Sequence, residues 1–251
     1  MILEIDYGNT RLKWRLLDCK TSICIARGSV IQVQDIQQAI VSHLHEPIHY
    51  CRVSSVRLAC DNQELDRLIE DWFEVDVVYA TSKVSLAGVV NGYVEPAKLG
   101  VDRWLAIVAA YAQMQKACVV FDCGTAFTAD FINASGVHLG GCIAPGLRLL
   151  SGALLGNTGK LGSAVTDVAE LGVLSCGVNT QSAVTCGISA MMSGFVKEQL
   201  LVAHKLLGVN FGVICTGGDA SYIFKELNGA VVDEDLVFQG LAIACPFASG
   251  V

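Results

Sequence analysis

The sequence predicts an α/β protein made of two related halves, each ordered βββαβαβα, facing each other across a nucleotide-binding cleft. Three observations carry this. The apolar runs Ile2 to Ile5, Cys118 to Phe121 and Phe211 to Cys215 each end in a turn that sets an acid or hydroxyl beside glycine: Asp6-Tyr7-Gly8-Asn9-Thr10, Asp122-Cys123-Gly124-Thr125-Ala126 and Thr216-Gly217-Gly218-Asp219-Ala220. Open α/β sheets hold their ligands at such carboxyl ends of strands. The order of elements restarts near Ala117, and 53% apolar residues over 251 positions give ample material for a full core.

In the first half the spacing predicts strands at 2–7, 11–18 and 22–30, a helix at 35–45, a strand at 48–53, a helix at 62–72, a strand at 76–80 and a helix at 101–115. The clearest strand signal is Leu12, Trp14 and Leu16 alternating with Arg11, Lys13 and Arg15, the pattern of a half-buried strand. The second half reads as strands at 118–122, 126–132 and 136–143, helical material from 146, a helix at 181–204, a strand at 211–216, a helix at 219–227, a short strand at 230–233 and a helix at 236–245. Both halves open with a strand, an Asp-x-Gly turn and a second strand. A repeat of this kind places one glycine turn from each half in the cleft.

Composition narrows the partners. A net charge of −7 without clustered Lys or Arg speaks against a nucleic-acid surface. The start, Met1 to Asp6, lacks the basic flank and apolar stretch of a signal peptide, so a cytosolic location is expected. Eleven cysteines without a Cys-x-x-Cys pair read as small buried hydrophobes in a reducing compartment. His43, His45 and His49 straddle Pro47 with no acid at ligand spacing, which disfavours zinc. Leu171 to Val196 carries no charge, but Gly177, Asn179, Thr180, Gln181 and Ser182 break it in the middle, so two elements joined by a loop are expected rather than a membrane span.

Glycine beside Asp6 and Asp122 removes the Cβ that would hold a phosphate away from backbone amides, while Asn9, Thr10 and Thr125 add neutral donors. A carboxylate repels polyphosphate unless a cation lies between them. Alternatively each acid orders its own turn by bonding nearby amides; the pair together favours ion or phosphate work. Gly100-Val101-Asp102-Arg103 opens a helix, where Asp102 can serve the helix dipole or act as general base, with Arg103 holding an anion. Gly159-Lys160 is followed by Leu and has no glycine five positions before Gly159, so it is no P-loop. Neither Gly-x-Gly-x-x-Gly after a strand nor Gly-x-Ser-x-Gly occurs.

Taken together, Asp6 to Thr10, Gly100 to Arg103, Asp122 to Ala126, Gly140-Gly141-Cys142-Ile143-Ala144-Pro145-Gly146 and Thr216 to Ala220 resemble the type III pantothenate kinases nearly end to end. That resemblance implies the acetate and sugar kinase, Hsp70 and actin superfamily, with duplicated ribonuclease H-like domains over 1–115 and 116–251. It implies that Asp6, Tyr7, Gly8, Asn9, Thr10, Arg11, Leu12 and Lys13 bind ATP phosphates and Mg²⁺, that Thr125 touches ATP, and that Asp122 holds a monovalent cation, potassium or ammonium. Asp102 would be the catalytic base; Tyr93, Gly100, Val101, Asp102, Arg103 and Thr180 would contact pantothenate. The family is homodimeric, which the small residues Gly187, Ala190 and Gly194 suit, and Thr180 would then serve the neighbouring subunit. The expected reaction is ATP-dependent phosphorylation of pantothenate, with no nucleic-acid or membrane partner. Rival readings are another small-molecule kinase of this fold and a non-catalytic accessory protein. The sequence departs from many relatives at Leu149 to Asn157, which is neutral and glycine-rich.

Overall fold

The computed structural model describes residues 1–156, 176–224, 227 and 229–247. Gly159-Lys160 and residues 171–175 of the uncharged run lie outside them, as do positions 225 and 226 of the helix expected at 219–227. Strand β1 (Ile2–Tyr7) forms a hairpin with β2 (Leu12–Leu17), and β2 pairs antiparallel with β3 (Cys24–Val30). Helix α1 (Ile36–Val41) leads to β4 (Tyr50–Ser55), and α2 (Ala59–Phe73) leads to β5 (Val77–Tyr79); both strands run parallel to β1. The sheet order is β3-β2-β1-β4-β5. A small hairpin, β6 (Ser85–Leu86) and β7 (Val89–Val90), precedes α3 (Val101–Met114).

The same arrangement then recurs. β8 (Cys118–Cys123), β9 (Ala126–Ile132) and β10 (His138–Pro145) are antiparallel neighbours, followed by α4 (Leu147–Gly156) and α5 (Thr180–Leu207). β11 (Gly212–Thr216), α6 (Ala220–Phe224), β12 (Val231–Val232) and α7 (Leu236–Ala244) complete it, with both strands parallel to β8. The order β10-β9-β8-β11-β12 matches the first sheet strand for strand. The expected βββαβαβα repeat is therefore present, with the residues of each strand close to their sequence-based positions. Among the described residues no helix is long and apolar enough to cross a membrane; Asn179 and Ser182 form a reciprocal cap at the start of α5, at the polar break in the uncharged run.

The chain packs as two compact units. One combines Met1–Ala109 with the chain from Asp235 onward; the other is Ala110–Glu234. In the first unit Leu3, Ile5 and Tyr7 of β1 meet Ile36 and Ile40 of α1 and Leu65, Leu68 and Ile69 of α2. The helical residues recur at three- and four-residue spacing, which puts them on one face. In the second unit Val119, Phe121 and Cys123 of β8 and Phe127, Ala129 and Phe131 of β9 pack with Ile188, Met192 and Val196 of α5. Helix α1 is shorter than the 35–45 expected, because His43 N–H and Leu44 N–H turn back to carbonyls only three residues away. Strands β6 and β7 are too short to leave a period-two signal and were not expected.

Two expectations are corrected. The cysteines are not all buried: Cys60, Cys142 and Cys176 are exposed. β2 is not half-buried: Trp14, Arg15, Leu16 and Leu17 are all buried, since α7 covers the face that Arg15 occupies. Glu4, with no solvent exposure, accepts from Arg15 Nε and, at 2.8 Å, from Arg52 Nε. Arg15 also reaches Asp235 at 3.1 Å, and Arg27 grips Asp235 with two bonds of 2.9 and 3.0 Å. Arg52 Nη1 donates to the Cys245 carbonyl at 2.8 Å, tying the end of α7 to β4. Gly240 lets α7 lie against the backbone of Leu105, where any Cβ would collide. Burying these charges is tolerable only because each has a partner.

Removing Glu4 would leave Arg15 and Arg52 charged in the core. Glu4→Ala should lower unfolding stability by about 3–5 kcal/mol, read as a reduced urea midpoint. A loss under about 1 kcal/mol would mean the arginines reach water some other way.

Candidate active site

Asp6 is the penultimate residue of β1, and the register sets it opposite Lys13 on β2 and beside Ser54 on β4. The hairpin turn Gly8 to Arg11 follows, closed by Gly8 N–H donating to the Arg11 carbonyl at 3.2 Å. Asn9, Thr10 and Arg11 are exposed, so the turn presents backbone and short polar side chains to solvent, as a phosphate cradle requires. Lys13 is exposed and Leu12 and Tyr7 are core residues. Burial pushes the Asp6 carboxyl up to about 6; the Lys13 ammonium offsets part of this and the Asp102 carboxylate adds to it. Asp6 and Asp102 belong to the same unit.

Asp102 sits in the first turn of α3, where unpaired helix N–H groups favour negative charge; its Oδ1 accepts from the Arg103 N–H at 2.7 Å. Gly100 carries the Trp104 N–H on its carbonyl. A Cβ at Gly100 would stand 2.8 Å from Asp102 Oδ1, which explains the glycine two residues before the acid. Val101 is half-buried and Arg103 is buried. Arg103 Nη1 donates to the Tyr93 hydroxyl at 2.8 Å, with its guanidinium 5.7 Å from the Tyr93 ring centre. Tyr93 is presented by Asn91, whose buried side chain donates to the Lys83 and Pro96 carbonyls at 3.2 Å each and accepts from the Tyr93 N–H at 3.0 Å.

The second unit holds the other predicted residues. Asp122 takes on β8 the place of Asp6 on β1, opposite Thr128 and beside Thr216. Gly217 has a φ of +91°, and a Cβ there would stand 2.6 Å from Asp122 Oδ1 and collide with the Cys123 carbonyl; only glycine fits. The Asp219 N–H donates to that carbonyl at 2.9 Å, and the Thr125 carbonyl accepts from Gly146 N–H at 3.0 Å. Three of the sequence motifs, those at Asp122, Gly146 and Thr216, therefore meet. Burial raises the Asp219 carboxyl while Arg148 holds it down. Thr180 is the exposed first residue of α5.

Sequence reasoning passed over Ser54, Asn91, Thr128 and Arg57. The first three are placed by sheet register and loop closure rather than by local pattern. Arg57 Nη1 donates to the Asn9 carbonyl at 3.2 Å, a contact between residues 48 positions apart in sequence.

The chain matches the family described as type III pantothenate kinase over residues 2–201. It is 41% identical to a type III pantothenate kinase of Pseudomonas aeruginosa, covering 98% of this chain and 99% of that one. With a type III pantothenate kinase of Azotobacter vinelandii it shares 40% identity over 99% and 100% of the two chains. Among solved structures it is similar in fold to the (R)-2-hydroxyglutaryl-CoA dehydratase component A of Acidaminococcus fermentans, with a TM-score of 0.52 and 15% identity over 97% of this chain and 95% of that one. These matches agree with the duplicated ribonuclease H-like fold.

A carboxyl raised on folding binds its proton more tightly in the native than in the unfolded chain. Asp6 should therefore favour the native state below about pH 4 and weaken it progressively as pH rises to about 6, by up to about 3 kcal/mol without bound cation. Asp6→Asn should be more stable than the parent at pH 7 in chelator, with the gap closing toward pH 4. Thermal unfolding across that window decides it, and a gap independent of pH would refute the assignment.

Proposed function

The chain belongs to the type III pantothenate kinase family, and on that premise we propose that it transfers the γ-phosphoryl group of ATP to the primary hydroxyl of pantothenate. The products are 4′-phosphopantothenate and ADP, the first step of coenzyme A synthesis. The observation that carries this reading is the 41% identity to a type III pantothenate kinase over 98% of this chain, and the Asp102 helix start beside the Arg103 and Tyr93 pair supports it.

Phosphoryl transfer asks a protein mainly for positioning and for compensation of oxygen charge. The Gly8 to Arg11 turn and Lys13 would hold the phosphates, and Thr125 would contact ATP. Among the described residues no three His, Cys, Asp or Glu side chains gather as a metal site. Asp6 would be the residue to hold Mg²⁺, which would lie between the carboxylate and the phosphates. Asp6 suits this, being a carboxylate that its surroundings leave short of compensating charge. Asp122 suits a monovalent cation, potassium or ammonium: its Oδ1 lies in a cradle that a Cβ at Gly217 would fill, with the hydroxyl residues Thr128 and Thr216 as register neighbours. When bound, Mg²⁺ would neutralise phosphate oxygens as negative charge shifts toward ADP.

Asp102 would accept the pantothenate hydroxyl proton late in the transfer, since a carboxylate is far too weak a base to ionise a free alcohol beforehand. Arg103 would pair with the pantothenate carboxylate, with Tyr93 as its neighbour. Thr180 would complete this pocket from a second subunit. A homodimer is supported by α5, where Gly187, Ala190, Met191 and Gly194 are exposed and a Cβ at either glycine would meet nothing. Eleven cysteines, all free, support a cytosolic setting.

Asp102→Asn should reduce turnover by roughly two to four orders of magnitude and leave the ATP KM nearly unchanged. The assay is ADP release with Mg²⁺, in the presence and absence of pantothenate and of potassium or ammonium; release that ignores pantothenate would end this reading. Asn91→Ala frees the Tyr93 loop and should raise the pantothenate KM by about tenfold with a far smaller effect on ATP, which initial-rate kinetics would separate.

A further inference from the structure

The carbonyl of Asn9 is held from outside its turn by Arg57, a residue in the link between β4 and α2. Arg57 Nη1 donates to that carbonyl at 3.2 Å. Its Nε pairs with Asp61 Oδ2 at 2.9 Å, four residues on in the first turn of α2, and its guanidinium lies 5.3 Å from the centre of the Tyr7 ring. The backbone beneath it is fixed as well. Val56 N–H donates to the Tyr7 carbonyl at 3.3 Å, and Arg57 N–H donates to Ser55 Oγ at 3.2 Å, which in turn donates to Asn62 Oδ1 at 2.6 Å. A planar fork held by an anion, a ring and a carbonyl has little freedom left.

A trans peptide is planar, and its C=O and N–H point in opposite directions. Holding the Asn9 carbonyl toward Arg57 therefore turns the N–H of Thr10 to the other side of the turn. We propose that Arg57 is a positioning residue for the nucleotide, setting the Asn9–Thr10 peptide so that the Thr10 N–H is aimed at the ATP phosphates. This rests on the reading of Asp6 to Lys13 as the phosphate loop. Because Asp61 neutralises much of its charge, Arg57 acts through geometry more than through its field. Lysine could not replace it, having one point of charge where a directed donor, an ion pair and a flat face are in use together.

Arg57→Ala should raise the ATP KM about tenfold while the pantothenate KM stays within about twofold; a merely structural loss would not separate the two substrates. Arg57→Lys should recover only part of the effect. Asp61→Asn, which unties Nε and leaves Arg57 in place, should raise the ATP KM about threefold and decides the matter if Arg57→Ala does not fold. Gly8→Val serves as the reference, since a Cβ at Gly8 would press on the Arg11 carbonyl at 3.2 Å. A raised ATP KM in Gly8→Val with none in Arg57→Ala or Asp61→Asn keeps the phosphate loop and overturns the role of Arg57. An unchanged ATP KM in Gly8→Val removes the loop reading and this proposal with it. ATP and pantothenate KM values rising together in Arg57→Ala would also overturn it.

Discussion

A carboxylate sealed from water at the centre of the first sheet, that of Glu4, sets the terms for the unit around it. Its two arginine partners come from the two strands that flank β1: Arg15 is its cross-strand partner on β2, and Arg52 its parallel neighbour on β4. Sliding either strand by one residue would turn the guanidinium to the opposite face and leave Glu4 unpaired. The ion pairs therefore fix register as well as contributing to cohesion. Two residues along the same rows stand Asp6, Lys13 and Ser54, so the alignment of these three follows from a charge network one step deeper in the sheet.

The second sheet solves the same geometry with different chemistry. Counting along equivalent registers, Val120, Asp130 and Ile214 take the places of Glu4, Arg15 and Arg52. Asp130 pairs instead with His138, 3.0 Å away and equally buried. Further along, Thr128 replaces Lys13 and Thr216 replaces Ser54, while the aspartate is retained as Asp122. One copy places a lysine opposite the aspartate; the other places a threonine there. The two otherwise equivalent acids thus face different residues, and the charge difference arises from a single position on the second strand of each sheet.

Much of this was legible in the sequence for local reasons. Acid–glycine turns at the ends of apolar runs mark strand termini, and Gly100 beside Asp102 marks a tight helix start, because both depend on residues within a few positions of one another. What was not legible depends on partners far along the chain. Alternation on β2 suggested a solvated face for Arg15, since nothing nearby reveals that a helix more than 200 positions later covers it. Arg57 carries no motif, and its contact with Asn9 exists only because β4 lies beside β1. Asn91 reads as a loop residue, and only the closed loop shows its amide satisfied on both sides. Repetition of element order identified two halves but not the packing of α7, which lies with the first sheet although it follows the second in sequence.

That placement of α7 also bears on how the polypeptide acquires its shape during translation. The second unit is one uninterrupted stretch, Ala110–Glu234, and all of its strands leave the ribosome in succession. The first unit cannot finish so early: Glu4, Arg15 and Arg52 are made long before Asp235 and the Cys245 carbonyl that complete their pairing. At ~5–20 residues per second the interval is on the order of ten seconds or more. For that time the face of the first sheet that carries Glu4, Arg15 and Arg52 is without the helix that covers it.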